Sequence, residues 1–196
     1  MPDLLGHIAQ TRIVPAGRYG ANDQGVTVTL VEGVCFASIA TAWNRTEGLN
    51  ARCAAAFGTA LPTGPKRVAA SGLAFIGMGP GRWLAAGFTI GDLEGRLRDA
   101  FQVDAAVCDQ SDAYVLFAVS GENARAALAK LIPIDLDPSA FRPDDAATTS
   151  AATIGVTLWQ ESPAPVFHLA VGRSFAPSFS RALVMSAAEF GCAIVG

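Results

Sequence analysis

The stretch "GLAFIGMGPGRWLAAGF", residues 72–88, has the residue types of a phosphate cradle: glycines that let a backbone approach an anion, and Arg82 to neutralise it. Such a loop works when a strand precedes it and a helix N-terminus follows, so that free N–H groups and the helix dipole meet the anion. Here an apolar run carrying Trp83 follows instead. The spacing Gly77-x-Gly79-x-Gly81 also matches neither G-x-G-x-x-G nor the Walker pattern. The stretch is expected to be a turn between two strands.

Acid–base chemistry would draw on Asp104, Asp109 and Asp112, or on Asp135, Asp137, Asp144 and Asp145. Both sets fall in connections, where aspartate serves turns without further function. His168 alternates with Phe167 and Leu169 in "VFHLAV" and points to the opposite sheet face, with no Ser, Cys or Asp neighbour to complete a triad. It reads as an outward-facing or satisfied strand residue, and His7 is weaker still. Cys35, Cys53, Cys108 and Cys192 are scattered without a CxxC pair, and two histidines give no zinc pattern. They read as buried thiols outside any disulfide. No catalytic, cofactor-binding or metal-ligating set is expected.

Only 16% of residues are charged while 51% are hydrophobic, yet no apolar stretch is long enough to span a bilayer. A charge-poor surface is expected to be partly covered by a partner. The net charge of −3, without a basic cluster, argues against nucleic acid or an anionic membrane as that partner. The start "MPDLLGHIAQTR" has no apolar core of a secretory signal, and a cytoplasmic location is expected.

The elements that must position these residues recur in the order strand, strand, helix. "VTVTLVEG" and "VCFASIATAW", joined at Glu32-Gly33, lead into "EGLNARCAAAFG", which Gly58 should close. "GLAFIG" and "RWLAAGF" lead into "TIGDLEGRLRDAF", where Leu93, Leu97 and Phe101 share a helix face. "VDAAVCD" and "AYVLFAVSG" precede "ENARAALAKLI", with Ala124, Leu128 and Leu131 on one face. After the Pro/Asp-rich "PIDLDPSAFRPDDAATTS" come "TIGVTLWQ" and "PVFHLAVGR". The last helix, in "SFAPSFSRALVMSAAEFG", should have Phe175, Phe179, Leu183 and Phe190 on one face, Ser174 as N-cap and Gly191 as stop. Four hairpins each followed by a helix imply an α+β fold, antiparallel sheet covered by helices. Residues 1–25 are expected to form an N-terminal extension. Residues 26–196 should form one compact domain of two β-β-α pairs, about 26–104 and 103–196.

Several stretches taken in order resemble one family. They are "VTLVEG" (28–33), "AAAFGTALP" (54–62), "GMGPGRWLA" (77–85), "VSGENARAALAKLIPIDLDPSAF" (119–141) and "RSFAPSFSRALVMSAAEFG" (173–191). Together they resemble the gamma subunit of heterotetrameric sarcosine oxidase. "SGENARAALAKLIPIDL" is also similar to a segment of folate-binding aminomethyltransferases, which implies a shared fold. The resemblance implies a non-catalytic accessory subunit in a complex that oxidatively demethylates sarcosine and passes the one-carbon unit to tetrahydrofolate. FAD, FMN and NAD would sit on the large alpha and beta flavoprotein subunits, and zinc on a small delta subunit, with none on this chain. Arg82 departs from the acidic or polar residue that the family often carries after Gly81.

Trp43, Trp83 and Trp159 flank strands and suit either core packing or interface anchoring. Trp83, beside glycines too small to cover it, is expected at an interface together with Arg82 and Trp43, and Trp159 in the core. The alternative function is a stand-alone folate-binding or one-carbon transfer domain, with Asp135 for the pterin and Lys66 or Arg67 for the glutamate tail.

Overall fold

Helices form where apolar residues recur every third or fourth position. In the computed structural model, which describes residues 13–20, 24–88 and 91–195, α1 spans Thr46–Phe57 and buries Leu49, Cys53 and Phe57. Gly58 ends it with a φ of 75°, a conformation that costs glycine nothing. Helix α2, Leu93–Phe101, buries Leu93, Leu97 and Phe101, and Asp92 caps it by accepting from the Gly95 N–H at 2.7 Å. Helix α3 is short, Ala124–Ala129, and α4 runs Ala176–Ala187 with Phe179 and Leu183 buried. Ser174 does not cap α4. It lies in a 3₁₀ turn, Arg173–Phe175, which leaves Phe175 at the cap position and exposed.

Twelve strands pair in two sheets among the described residues. The first sheet holds β1 (Gly17–Tyr19), β2 (Val26–Val31), β8 (Tyr114–Ser120), β9 (Ala146–Ala151), β10 (Ile154–Gln160), β11 (Phe167–Gly172) and β12 (Cys192–Val195). Its order is β1-β12-β2-β8-β11-β10-β9, and only the β12–β2 pair is parallel. The second holds β3 (Val34–Thr41), β4 (Arg67–Ala70), β5 (Leu73–Gly79), β6 (Arg82–Phe88) and β7 (Ala105–Asp109), in the antiparallel order β4-β5-β6-β3-β7.

Period-2 alternation divides the central strands between two cores. On β8, Val115, Phe117 and Val119 join α3 and α4 residues such as Leu128, Phe179 and Leu183. Leu116, between them, joins Phe36, Ile76 and Leu84 of the other sheet. In the five-stranded sheet, Ala37, Ile39 and Phe75 pack with Leu49, Phe57, Leu97 and Phe101 of α1 and α2. The result is four layers: helices, sheet, sheet, helices.

This layering corrects two of the four expected hairpins. β2 and β3 do not pair with each other, nor do β7 and β8; each couple has one strand in each sheet. The chain turns a corner at Glu32-Gly33, where Gly33 has a φ of 70° and the flanking Val31 and Val34 pack between the sheets. A two-residue glycine link suits a hairpin or a corner equally, so the strand sequence does not choose. The β5–β6 and β10–β11 hairpins form as expected. Each gains a strand in front of it, β4 and β9, and β12 adds another after α4.

Candidate functional site

At one end of the five-stranded sheet three segments meet. The Thr41 N–H donates to the Gly81 carbonyl at 2.9 Å, and the Ala42 N–H to the Asp104 carbonyl at 2.9 Å. The β5–β6 turn, the exit of β3 and the 3₁₀ turn Gln102–Asp104 are thereby brought side by side. Trp43, 90% exposed, stands here with exposed Val103 and exposed Arg82. Beneath them Asp104 is buried; its Oδ2 accepts from Arg52 Nε at 2.7 Å, and Arg45 Nη1 lies 3.7 Å from its Oδ1. A Cβ on Gly48 of α1 would lie 3.0 Å from that carboxylate, so glycine is what lets the helix approach it. Asp104 thus clamps α1 to the turn and is not free for acid–base work.

Trp83 is not part of that exposed surface. Its position on β6 turns it toward α1 and α2, where it is 6% exposed and its Nε1 donates to the Pro62 carbonyl at 2.9 Å. The cover comes from residues 61–65, a segment distant in sequence. Gly77 makes this possible, because a Cβ there would sit 2.0 Å from the Gly64 carbonyl oxygen. The glycine stretch is a turn between two strands, as its sequence implies, and the structure adds a bulge between Gly77 and Gly79. It lines a cavity of about 590 Å³ that includes Thr46, Asn50, Pro62, Met78 and Trp83 but no charged side chain. Arg82 does not line it.

A second cavity, about 370 Å³, opens between the sheets and is lined by Arg67, Glu161, His168 and Trp159 among small apolar residues. His168 is 8% exposed and stacks on Trp159, with centroids 5.4 Å apart and planes 10° from parallel. Its Nε2 lies 2.7 Å from Glu161 Oε2, and Arg67 Nη2 donates to Glu161 Oε1 at 3.0 Å and Nη1 to Asp144 Oδ1 at 2.6 Å. The histidine is therefore buried between the sheets and not outward-facing; its alternation is as expected, but that face is covered by the second sheet. Nothing in the sequence pairs it with Glu161 and Arg67, which come from other strands and loops.

Burial holds the His168 pKa below its ordinary 6.5, against the upward pull of the Glu161 hydrogen bond. The unfolded chain then takes up a proton near pH 6.5 before the folded chain does. Stability that is full above that pH is lost progressively as pH falls below it. Thermal melts between pH 7.5 and 5, values chosen to bracket ~6.5, should show this decline, and His168→Phe should flatten it. An unchanged slope in the variant would mean another group titrates.

The remaining candidates are accounted for by the fold. Asp135 accepts the Asp137 N–H at 2.9 Å in an exposed turn, Lys66 pairs with Asp145, and Arg67 with Asp144 and Glu161. The folate alternative thus finds its two cations already held in ion pairs. Of the four thiols expected to be buried, Cys53 and Cys192 are, while Cys35 is half-buried and Cys108 is exposed on the edge strand β7; burial pushes the Cys53 thiol up to about 11 and raises that of Cys192, the reverse of what a nucleophile needs. Among the described residues no three His, Cys, Asp or Glu side chains converge as a metal site, and no helix is long and apolar enough to cross a membrane. His7 lies outside the described residues.

Comparison with known proteins places this arrangement. The chain resembles one chain of heterotetrameric sarcosine oxidase from Corynebacterium sp. U-96, solved with pyrrole 2-carboxylate, at a TM-score of 0.77 and 29% identity over 88% of each chain. It resembles aminomethyltransferase T of the Bartonella henselae glycine cleavage system at a TM-score of 0.67 and 12% identity, over 98% of this chain and 57% of that one, a likeness of fold alone. It is 37% identical over 114 residues to a sarcosine oxidase subunit gamma of an Arthrobacter species. That match covers 57% of this chain and 56% of the relative, so the shared stretch is little more than half of either. Residues 44–189 match the family described as sarcosine oxidase, gamma subunit family, and it is to this family that the chain belongs.

Proposed function

We propose that the chain is a non-catalytic accessory subunit of a heterotetrameric, flavin-dependent sarcosine oxidase. The observation that carries this reading is the likeness to a chain of such an enzyme over 88% of both chains. In this reading alpha and beta subunits hold FAD, FMN and NAD, a delta subunit holds zinc, and this chain serves assembly. The stand-alone folate-binding alternative is not favoured, since its cations are engaged within the fold.

The contact surface we assign is the end of the five-stranded sheet that carries Trp43, Arg82 and Val103. A tryptophan that the described residues leave 90% exposed is the side chain whose burial by a partner yields most. Co-expressed with the other subunits, Trp43→Ala should weaken incorporation by about 2 kcal/mol or more, roughly 30-fold in affinity. The stability of the chain itself should stay within about 0.5 kcal/mol, as for surface substitutions in general. Size-exclusion and pull-down of the co-expressed subunits read the first, thermal melts the second. A chain that never co-purifies with flavoprotein subunits would overturn the function, whereas normal incorporation of Trp43→Ala would overturn only the surface.

A further inference from the structure

The backbone fixes the apolar side chains at the end of the five-stranded sheet in their outward positions. Val103 follows Gln102, whose φ of 49° and ψ of −122° form a conformation that residues with side chains rarely adopt. Trp43 precedes Asn44, at a φ of 55°. Each exposed apolar side chain thus adjoins a residue held at positive φ, and such backbone persists where the surrounding structure over-determines it, commonly at binding surfaces. Here the surrounding bonds are those of Thr41 to Gly81 and Ala42 to Asp104, with the Arg45 N–H donating to the Ala42 carbonyl at 3.1 Å. They gather Trp43, Arg45, Arg82 and Val103 at one corner.

The charge of that corner is opposite to that of the chain. Residues 41–52, 79–83 and 102–106 carry Arg45, Arg52 and Arg82 against Glu47 and Asp104, a balance of +1 where the whole chain has −3. Both acids are already answered. Asp104 is buried against Arg52, and Glu47 lies in the first turn of α1, where the helix dipole favours an anion. Helix α2 adds no net charge, with Glu94 and Asp99 against Arg96 and Arg98. Exposed Arg82 has no ion-pair partner among the described residues. The Arg45 side chain is also exposed, and at 3.7 Å from Asp104 it is beyond a hydrogen bond. The corner therefore offers two guanidinium groups beside two apolar side chains.

We infer, resting on the accessory role, that this corner receives an acidic segment of another subunit, which sets an apolar side chain against Trp43 and Val103 and carboxylates on Arg82 and Arg45. Tryptophan and arginine are the side chains that most often dominate the energy of an interface, and a carboxylate matches the guanidinium fork. An extended polyanion would meet the chain's overall charge of −3.

The test reads assembly of the chain co-expressed with the other subunits. Arg82→Glu sets like charges together and should weaken incorporation at least about tenfold relative to Arg82→Ala. Thermal melts should show both variants folded, since Arg82 holds no ion pair within the described chain. Raising salt from ~50 to ~500 mM should narrow the gap between the two, as screening of exposed charges requires. Arg82→Lys adds a direct readout: the amine it introduces, treated with a carbodiimide, should form an amide with an Asp or Glu of another subunit, located by mass spectrometry. A wild-type chain that never joins the other subunits would overturn the accessory role and the acidic partner together. Normal assembly in which Arg82→Glu costs no more than Arg82→Ala, or in which the amine couples to no other subunit, would overturn the acidic partner and leave the accessory role standing.

Discussion

Trp83→Ala is expected to destabilise the fold by about 3–5 kcal/mol, the range for a truncated core tryptophan. The ring lies among α1, α2 and the sheet, and its loss opens a void that the existing 590 Å³ cavity would enlarge. It also leaves the Pro62 carbonyl without its donor and frees residues 61–65 from the hairpin. Urea and thermal unfolding of the purified chain or complex measure the effect. Trp159→Ala, buried between the sheets at 4% exposure, should fall in the same range. A Trp83 variant that unfolds normally but dissociates from its partners would show that the ring swings outward on assembly.

Arg125→Ala should cost about 3 kcal/mol, the order expected when a charged, multiply bonded side chain is removed from beneath its acceptors. On α3, Arg125 donates through Nη1 to the Leu136 carbonyl and, at 3.5 Å, to that of Phe141, and through Nη2 to Gln160 Oε1 at 2.9 Å. Its guanidinium lies 5.0 Å from the centre of the Phe167 ring. One side chain therefore ties the connection between α3 and β9 to the sheet beneath. Arg125→Lys keeps the charge but not the planar fork and should recover less than half the loss. Equilibrium unfolding gives the magnitude, and limited proteolysis should place the first cuts within residues 132–143. If cleavage begins elsewhere, the clamp is not what orders that connection.

Helix faces were legible within the helices themselves: Leu93, Leu97 and Phe101 are buried together, as are Phe179 and Leu183, whereas Phe175 and Phe190 of the same expected face fall in the flanking 3₁₀ turns and Phe175 is exposed. Strand membership was not. With helices on one side of each sheet and a second sheet on the other, strands such as "YVLFAVS" are apolar on both faces, and their residues do not say which sheet they join. β4 and β9, "RVAA" and "AATTSA", lack aromatic or bulky runs; they are strands because a hairpin offers them an edge. At the candidate sites the glycine turn was legible from its spacing. The burial of Trp83 was not, since its cover is a loop some twenty residues earlier. The Arg67–Glu161–His168 group joins residues nearly a hundred positions apart, and no local pattern marks it.

The corner at Glu32-Gly33 also sets an order of events during synthesis. Every strand of the five-stranded sheet lies between Val34 and Asp109, so that sheet and its two helices are complete once residue 109 has left the ribosome. β2, made before any of them, pairs only with β8 and β12, whose residues begin at Tyr114 and end at Val195. β2 must therefore wait, unpaired, until the whole five-stranded sheet and then β8 have been made, and it gains its second neighbour only with β12. The parallel β12–β2 pair, which joins residues more than 160 positions apart, is a late step of high contact order.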